Sequence, residues 1–285
     1  MESFRQYLIS EQIDDFFNEK AISPKEARKE VREIDDLNSK QAKELYKNLI
    51  DTINSSKYSK TIDFIDDISK DKKLKFILSL GFGGRLADLN LKINEISLNV
   101  KDLIPTQNEI GVDETFKYIL QGKNIEYCFQ NPAVIRKPIV VFNSKYIIDG
   151  HHRWSEIYIT NPNAKVDVVN ISGNLSPINA LKVFQCTIAS NLGKVIRTSK
   201  KGKNLLDLSK NEISKYCDEI SQEARNKFNA YGIYDVEHYL LSNCLEMQKN
   251  NEPINNAPPR TEMPQTSKDP NLFFDLENGV TKIHW

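Results

Sequence analysis

A strand–turn–helix pattern between residues 137 and 158 constrains the fold of this chain more than any other feature. Residues 137–142 contain an apolar run, Asn143-Ser144 suits a two-residue turn, and residues 145–148 have the composition of a returning strand. Asp149-Gly150-His151-His152-Arg153 follows directly, and residues 154–158 then have a helical pattern. The pattern predicts a hairpin whose second strand ends in a polar turn at the start of a helix.

The surrounding sequence predicts a small mixed sheet between helical regions. Alternating apolar residues indicate strands near 93–98 and 165–171, and residues 113–120 have the pattern of a short helix. Helical patterns return after Ser176-Pro177, after a capping box at Ser209 that runs on to Phe228, and after Asp235. We therefore expect an α+β chain. The predicted regions are a helical N-terminal region at 1–85, a mixed core at 86–175, a helical region at 176–250 and an extended polar tail at 251–285.

Composition and charge exclude several classes of protein. The 285 residues include 39 basic and 39 acidic side chains, so a general polyanion binder is not expected. The four cysteines form no Cys-x-x-Cys pair, which argues against a zinc ribbon or a thioredoxin-type site. No apolar run has the length of a membrane span, and the first residues lack a signal-peptide pattern. These patterns predict a cytoplasmic location and no membrane partner.

The 149–153 turn combines groups that suit a phosphate. A helix start has unpaired backbone N–H groups and a positive dipole end, and Gly150 allows a ligand to approach the backbone. Arg153 can hold a phosphate by two hydrogen bonds, and His151 and His152 can donate to phosphate oxygens or transfer protons. Asp149 can hold Mg²⁺ or orient a histidine. The structural alternative is a capped helix with packed histidines and a salt-bridged arginine, but four ionisable residues in five positions favour a functional site.

The residues from Ile147 to Arg153 resemble the signature of the ParB/sulfiredoxin superfamily, which has Gly-x-x-Arg or Gly-Cys-His-Arg at this place. Residues 100–105 are similar to the first strand of that family, and Pro138-Ile139-Val140-Val141 to the strand before the signature. The resemblance extends over about residues 93–172. It implies a ParB/sulfiredoxin-like core within residues 86–175 that binds a nucleoside di- or triphosphate, with Mg²⁺, at the turn.

The superfamily includes DNA-partitioning CTPases, ATP-dependent sulfinic-acid reductases, nucleotide-dependent serine kinases and ParB-like nucleases. The reductases have cysteine where this chain has His151, and the partition proteins have alanine where it has Glu156. The form here is most similar to the serine-kinase-like and phage-type members, and in the kinases a catalytic glutamate follows the first strand. The residues that the resemblance implies are Glu109, Asp149, His151 and His152 for catalysis, Gly150, His151, His152 and Arg153 for phosphate, and Asp149 for the metal.

One basic run predicts a contact with nucleic acid. Five basic residues occur without an acidic one between positions 194 and 203. Gly193 precedes this run and Gly202 lies within it, as in a loop. Such a run can lie along a DNA backbone, and a solvated loop is the equal alternative. The residues are Lys194, Arg197, Lys200, Lys201 and Lys203.

The sequence therefore predicts a nucleotide-binding, DNA-associated ParB-like nuclease. One alternative is a nucleotide-dependent kinase of a small hydroxyl substrate such as serine. Another is a non-catalytic DNA- or assembly-binding module, such as a phage structural protein, whose helical ends and C-terminal tail dock to protein partners. A phage-encoded protein would be found in the host cytoplasm or in the virion.

Overall fold

A five-stranded mixed sheet organises the computed structural model of this chain. The structure describes residues 91–135, 137–192, 196, 198 and 202–277. Helices accompany the sheet in the same chain, so the fold class is α+β, as the sequence predicts. The strands are β1 (Lys92–Asn99), β2 (Ile104–Pro105), β3 (Ile139–Phe142), β4 (Tyr146–Asp149) and β5 (Lys165–Ser172).

The order of the strands in the sheet is β1-β5-β3-β4-β2. The β1–β5 and β3–β4 pairs are antiparallel, whereas β3–β5 and β2–β4 are parallel. β3 is the central strand and lies between β5 and β4. Because every side chain of β3 is buried, this strand is continuously apolar rather than alternating.

Eight α-helices surround or follow these strands in the described part of the chain. The helix α3 follows β4 directly and packs against α1, α2 and α7. The helices are α1 (Val112–Leu120), α2 (Ile125–Cys128), α3 (His151–Thr160), α4 (Pro177–Leu192), α5 (Lys210–Asp218), α6 (Gln222–Asn229), α7 (Val236–Asn250) and α8 (Leu272–Glu277). None of the helices in these described ranges is long and apolar enough to cross a membrane.

The hairpin that the sequence predicts is confirmed. Asn143 and Ser144 both have positive φ, at 50° and 58°, and the Lys145 N–H donates to the Phe142 carbonyl at 3.2 Å. Two positive φ angles in a two-residue loop match the twist of the flanking strands, and asparagine tolerates this conformation better than most residues. The turn sets the register in which β4 returns, so it determines where the polar turn after β4 begins.

A buried aromatic pair fixes the helix that carries the turn. Trp154 and Tyr158 of α3 are fully buried, and their rings meet edge to face at a centroid distance of 5.9 Å. The indole N–H of Trp154 donates to the Val100 carbonyl at 2.8 Å, so no polar group is left unpaired by this burial. The start of α3 is therefore held in a constant position next to the end of β4.

The predicted helix from Ser209 to Phe228 is two helices instead, α5 and α6. The helix ends at Asp218, and a new one begins after Ser221. The Ser221 side chain accepts a hydrogen bond from the Ala224 N–H at 3.2 Å and so caps the second helix. Its own N–H donates to the Leu120 carbonyl at 3.0 Å rather than to a carbonyl within the helix. A tertiary bond to α1 thus ends the helical run that the apolar spacing suggested.

The segment after residue 250 also differs from the extended polar tail that its composition predicts. Two 3-10 helices, Arg260–Glu262 and Thr266–Lys268, precede α8 in this segment. Ala257, Met263 and Leu272 are buried, with at most 9% of the residue exposed. Scattered apolar anchors of this kind hold a polar, proline-rich segment against the fold without any regular hydrophobic period.

The chain divides into two compact units. The unit with the sheet comprises Lys92–Gly173 and Thr198–Met263, so it draws on both the predicted core and the predicted C-terminal helical region. Of the described residues outside this unit, 174–192 and 264–277 belong to the second one. The helical prediction for residues 1–85 lies outside the described residues.

Candidate functional site

The polar turn joins β4 to α3 in a conformation that only glycine adopts easily. Asp149 ends β4, Gly150 has φ 98° and ψ 23°, and α3 begins at His151. No side chain caps this helix start, and its first turn has no acidic residue. The N–H groups and the positive dipole end therefore lack the side-chain acceptor that most helix starts have.

The Arg153 side chain folds back over this turn. Its Nη2 donates to the Pro138 carbonyl at 3.1 Å, and a Cβ on Gly150 would lie 2.8 Å from the same Nη2. The Nε of Arg153 is buried and has no hydrogen-bond acceptor among the described residues. A buried donor without an acceptor costs free energy, which an anion bound at the turn would recover.

The two histidines contact the backbone of a neighbouring loop. The Nε2 of His151 accepts a hydrogen bond from the Thr106 N–H, and the Nε2 of His152 accepts one from the Gly111 N–H, each at 3.1 Å. Both bonds connect the start of α3 to the loop between β2 and α1. This loop also contains Glu109, and the catalytic role of that residue stays a prediction.

The hydrogen bonds and the burial of the rings give the histidines a structural role that the sequence did not predict. Burial lowers the pKa of His151 well below its ordinary value. Burial, followed by the nearby charge of Arg260, lowers the pKa of His152 to about 4. Both rings are therefore neutral acceptors at pH 7 and hold the loop in place. Their catalytic and phosphate-binding roles stay predictions, and Nδ1 is the ring nitrogen left for them.

An ion pair that the sequence did not indicate lies beside His152. Arg260 Nη1 donates to Glu114 Oε1 at 2.8 Å. Burial alone would raise the pKa of Glu114, but the hydrogen bond and the charge of Arg260 outweigh it and keep the pKa below its ordinary value. A Cβ on Gly111 would collide with the Glu114 carboxylate, so the pair lies directly on the glycine that His152 contacts. The sequence placed Arg260 in a polar tail, and no local pattern connects it to Glu114.

A second carboxyl group, that of Glu156, lies one turn after Arg153 on α3. Its Oε1 accepts a hydrogen bond from Asn124 Nδ2 at 3.1 Å. Burial raises the pKa of Glu156 to about 7, against the opposing effects of the Asn124 bond and the Arg153 charge. Glu156 is therefore a carboxyl group whose protonation changes near neutral pH.

The donor set fits Mg²⁺ only together with a phosphate ligand. Asp149 is half-buried at the end of β4, and the described residues contain no group of three histidine, cysteine or carboxylate side chains that could hold a metal. Mg²⁺ is commonly bound by one or two carboxylates with the phosphates of a substrate. A role of Asp149 as metal ligand therefore depends on the phosphate oxygens that would complete the site.

The basic run that the sequence singled out falls mostly outside the described residues, which include Lys203 but not Lys194, Arg197, Lys200 or Lys201. The Nζ of Lys203 pairs with Glu212 at 2.9 Å, and the Lys203 carbonyl accepts a hydrogen bond from the Val112 N–H at 3.1 Å. The charge of Lys203 is thus already matched by a carboxylate. The DNA contact of the other four residues stays a prediction.

Comparison with known proteins gives one distant similarity. No protein-family model matches the sequence, and no curated protein matches it. A solved structure described as "Structure of the C2221 form of Pnob8-like ParB-N domain" is similar at 17% identity, over 55% of this chain and 64% of that chain, with a TM-score of 0.22. The match therefore spans less than two thirds of that protein.

Proposed function

We propose that this chain binds the phosphate of a nucleotide at the start of α3. The observation that carries the proposal is the buried Arg153 Nε, which has no acceptor within the described residues and lies at an uncapped helix start. Free backbone N–H groups, a positive dipole end and a guanidinium favour the same ligand, an anion with several oxygens. Phosphate is the common biological ligand of this kind.

Each residue of the turn would have a separate task in this function. Gly150 lets the phosphate approach the backbone, and Arg153 donates to its oxygens. His151 and His152 hold the loop between β2 and α1 and so keep the shape of the site. Asp149 would hold Mg²⁺ together with phosphate oxygens, and the metal would neutralise phosphate charge.

Calorimetric titration with ATP, ADP, CTP and GTP tests the proposal. At least one nucleotide should bind, and Arg153→Ala should weaken that binding by roughly 10- to 100-fold, the effect of losing a charge-assisted contact. Arg225→Ala is the matched control, because Arg225 is also a partly buried arginine and is ion-paired to Glu237 on α7 rather than to the turn. Absence of binding, or equal weakening by both variants, would contradict the proposal.

A catalytic function is the second candidate, and the position of Glu109 favours it. The two histidine–backbone bonds fasten the loop that contains Glu109 to the turn, which supports a role for this glutamate near the proposed phosphate site. As a general base, Glu109 would activate a water for DNA hydrolysis, as in a ParB-like nuclease, or a hydroxyl such as that of serine, as in a kinase.

A turnover screen separates the catalytic candidates from a non-catalytic module. The full chain with Mg²⁺ is incubated with nucleotides, with serine and with labelled DNA, and products are measured. Turnover that Glu109→Gln removes, while nucleotide affinity is retained, supports catalysis and names the substrate. Nucleotide or DNA binding without any turnover supports a DNA- or assembly-binding module instead.

A further inference from the structure

The segment from Asn251 to Met263 runs along the loop that the two histidines hold. Asn251 Nδ2 donates to the carbonyls of Lys101 and Leu103, at 2.9 and 2.8 Å. The Ile254 N–H then donates to the Pro105 carbonyl, and the Asn108 N–H donates to the Pro258 carbonyl. These bonds fix the path of the segment as far as Pro258. Arg260 lies two residues later and therefore reaches the start of α1 in a defined position.

Arg260 and Arg153 approach His152 from different parts of the chain. Arg260 Nη1 would lie 3.2 Å from a Cβ on Gly111, whose N–H donates to His152 Nε2 at 3.1 Å, so this guanidinium lies beside the His152 ring. The Arg153 Nη2 would lie 2.8 Å from a Cβ on Gly150, the residue directly before the two histidines. Arg153 belongs to α3, whereas Arg260 comes from a 3-10 helix in the C-terminal segment. Two cations from separate elements thus lie near the same uncapped helix start.

The guanidinium of Arg260 is held in place but keeps donors available. Only its Nη1 has a hydrogen-bond acceptor among the described residues, the Oε1 of Glu114. An arginine has five N–H donors, so most of those of Arg260 can still contact a ligand. Glu114 also fixes the orientation of the guanidinium, and a group that is already oriented loses less entropy when a ligand binds.

We propose that Arg260 is a second phosphate-binding residue of the turn and that the site selects a diphosphate or triphosphate over a monophosphate. Arg153 and the start of α3 hold one phosphate group, and Arg260 holds the next. Glu114 is a positioning residue that keeps Arg260 beside His152. This inference rests on the proposed function and adds to it a residue far from the turn in sequence, which would hold the second phosphate of the ligand.

The experiment compares ADP with AMP, and pyrophosphate with phosphate, by calorimetry on the full chain. Arg260→Gln alone would leave the Glu114 carboxylate unpaired and could destabilise the fold. The informative comparison is therefore Glu114→Gln against the double variant Glu114→Gln with Arg260→Gln, which differ only in the arginine. Thermal unfolding of both verifies that each is folded.

The wild type should prefer the diphosphate by roughly 10-fold or more, and Glu114→Gln should keep a smaller preference, because its amide oxygen can still accept a hydrogen bond from Arg260. The double variant should lose the preference while its monophosphate affinity stays unchanged. Equal affinities for the two ligands in the wild type, or a preference that survives in the double variant, would overturn the role of Arg260 alone. Arg153→Ala distinguishes this failure from a failure of the site, because it should weaken both ligands. If none of the ligands binds to the wild type, the proposed function and this inference both fall.

Discussion

Two helix starts in the same unit differ in how their first N–H groups are paired: α5 has a capping box, whereas α3 has no side-chain cap. At α5, the Ser209 side chain accepts a hydrogen bond from the Glu212 N–H, and the Glu212 carboxylate accepts one from the Ser209 N–H. At α3, Gly150 provides no side chain, and the first turn contains no acidic residue. A helix start that supplies its own acceptors has no need of a ligand, whereas the start of α3 lacks acceptors and suits an anion.

The two starts also differ in how they are stabilised. Ser209 is exposed and Glu212 is half-buried, and the two residues lie three positions apart, so the hydrogen bonds of the capping box itself are local. The start of α3 depends on backbone groups of Thr106, Gly111 and Pro138, all from other elements. Substitutions at α3 should therefore affect the whole fold, whereas substitutions at α5 should act locally.

The largest effect is expected for His151→Ala. His151 is only 4% exposed, and its loss leaves a cavity and an unpaired Thr106 N–H, so the free energy of unfolding should fall by about 2–4 kcal/mol. Urea denaturation measures this change. The control is His238→Ala on α7, where the histidine is exposed and the expected change is within about 0.5 kcal/mol. Equal changes in the two variants would mean that the loop is not held by His151.

Gly150→Ala should have the next largest effect. The φ of 98° strains any other residue, and the new Cβ would lie 2.8 Å from the Arg153 Nη2, so we expect a loss of about 2 kcal/mol. Gly232→Ala is the matched control, since Gly232 has a φ of 79° but no atom within 4 Å of an added Cβ. Its loss should be about 1 kcal/mol. The difference between the two thermal-denaturation results isolates the contact with Arg153.

Glu156→Gln should stabilise the protein at high pH by about 1–2 kcal/mol, because solvent screening of this half-buried side chain reduces the full linkage effect of about 3 kcal/mol. Burial raises the pKa of Glu156 to about 7 from an ordinary value of 4.5, so the folded state disfavours its ionised form. The gain of the variant should therefore be absent below pH 4.5, grow as pH rises from 4.5 to 7, and stay constant above pH 7. Melting temperatures of both proteins at pH 5 and pH 8 measure it, and a gain that does not depend on pH would contradict the assignment.

The acid of the α5 capping box should respond to pH in the opposite direction. Hydrogen bonds from Lys203 and Ser209 lower the pKa of Glu212 to about 2, so its ionised form is favoured by the fold. This stability is present above pH 4.5 and is lost as pH falls toward 2. Glu212→Gln should therefore lower the melting temperature at pH 8, where Glu156→Gln raises it.

Ser209→Ala should have the smallest effect, a loss of about 1 kcal/mol, because it removes one exposed helix cap. Nucleotide affinity should not change, since the box lies at a different helix start from the turn. Ser221→Ala at α6 removes a similar cap and should have a similar effect on denaturant unfolding. A marked change in nucleotide affinity in either variant would contradict the proposal that only the start of α3 binds the ligand.

The features that the sequence predicted correctly are those that adjacent residues determine. The Asn143-Ser144 turn, the strand before Gly150 and the Ser209 capping box each depend on local conformational preferences and on hydrogen bonds across a few positions. The polar turn could be recognised as a candidate site for the same reason, because its residues are consecutive.

The tertiary structure alone decided what these residues contact. His151 and His152 bind backbone N–H groups 45 and 41 residues away, and Arg260 reaches Glu114 across 146 residues. The break between α5 and α6 and the anchoring of the C-terminal segment likewise depend on partners from other elements. Residue type and local spacing contain no information about such partners. Burial next to those partners lowers the pKa of both histidines, so they are neutral acceptors. The path of the C-terminal segment brings Arg260 close to the turn.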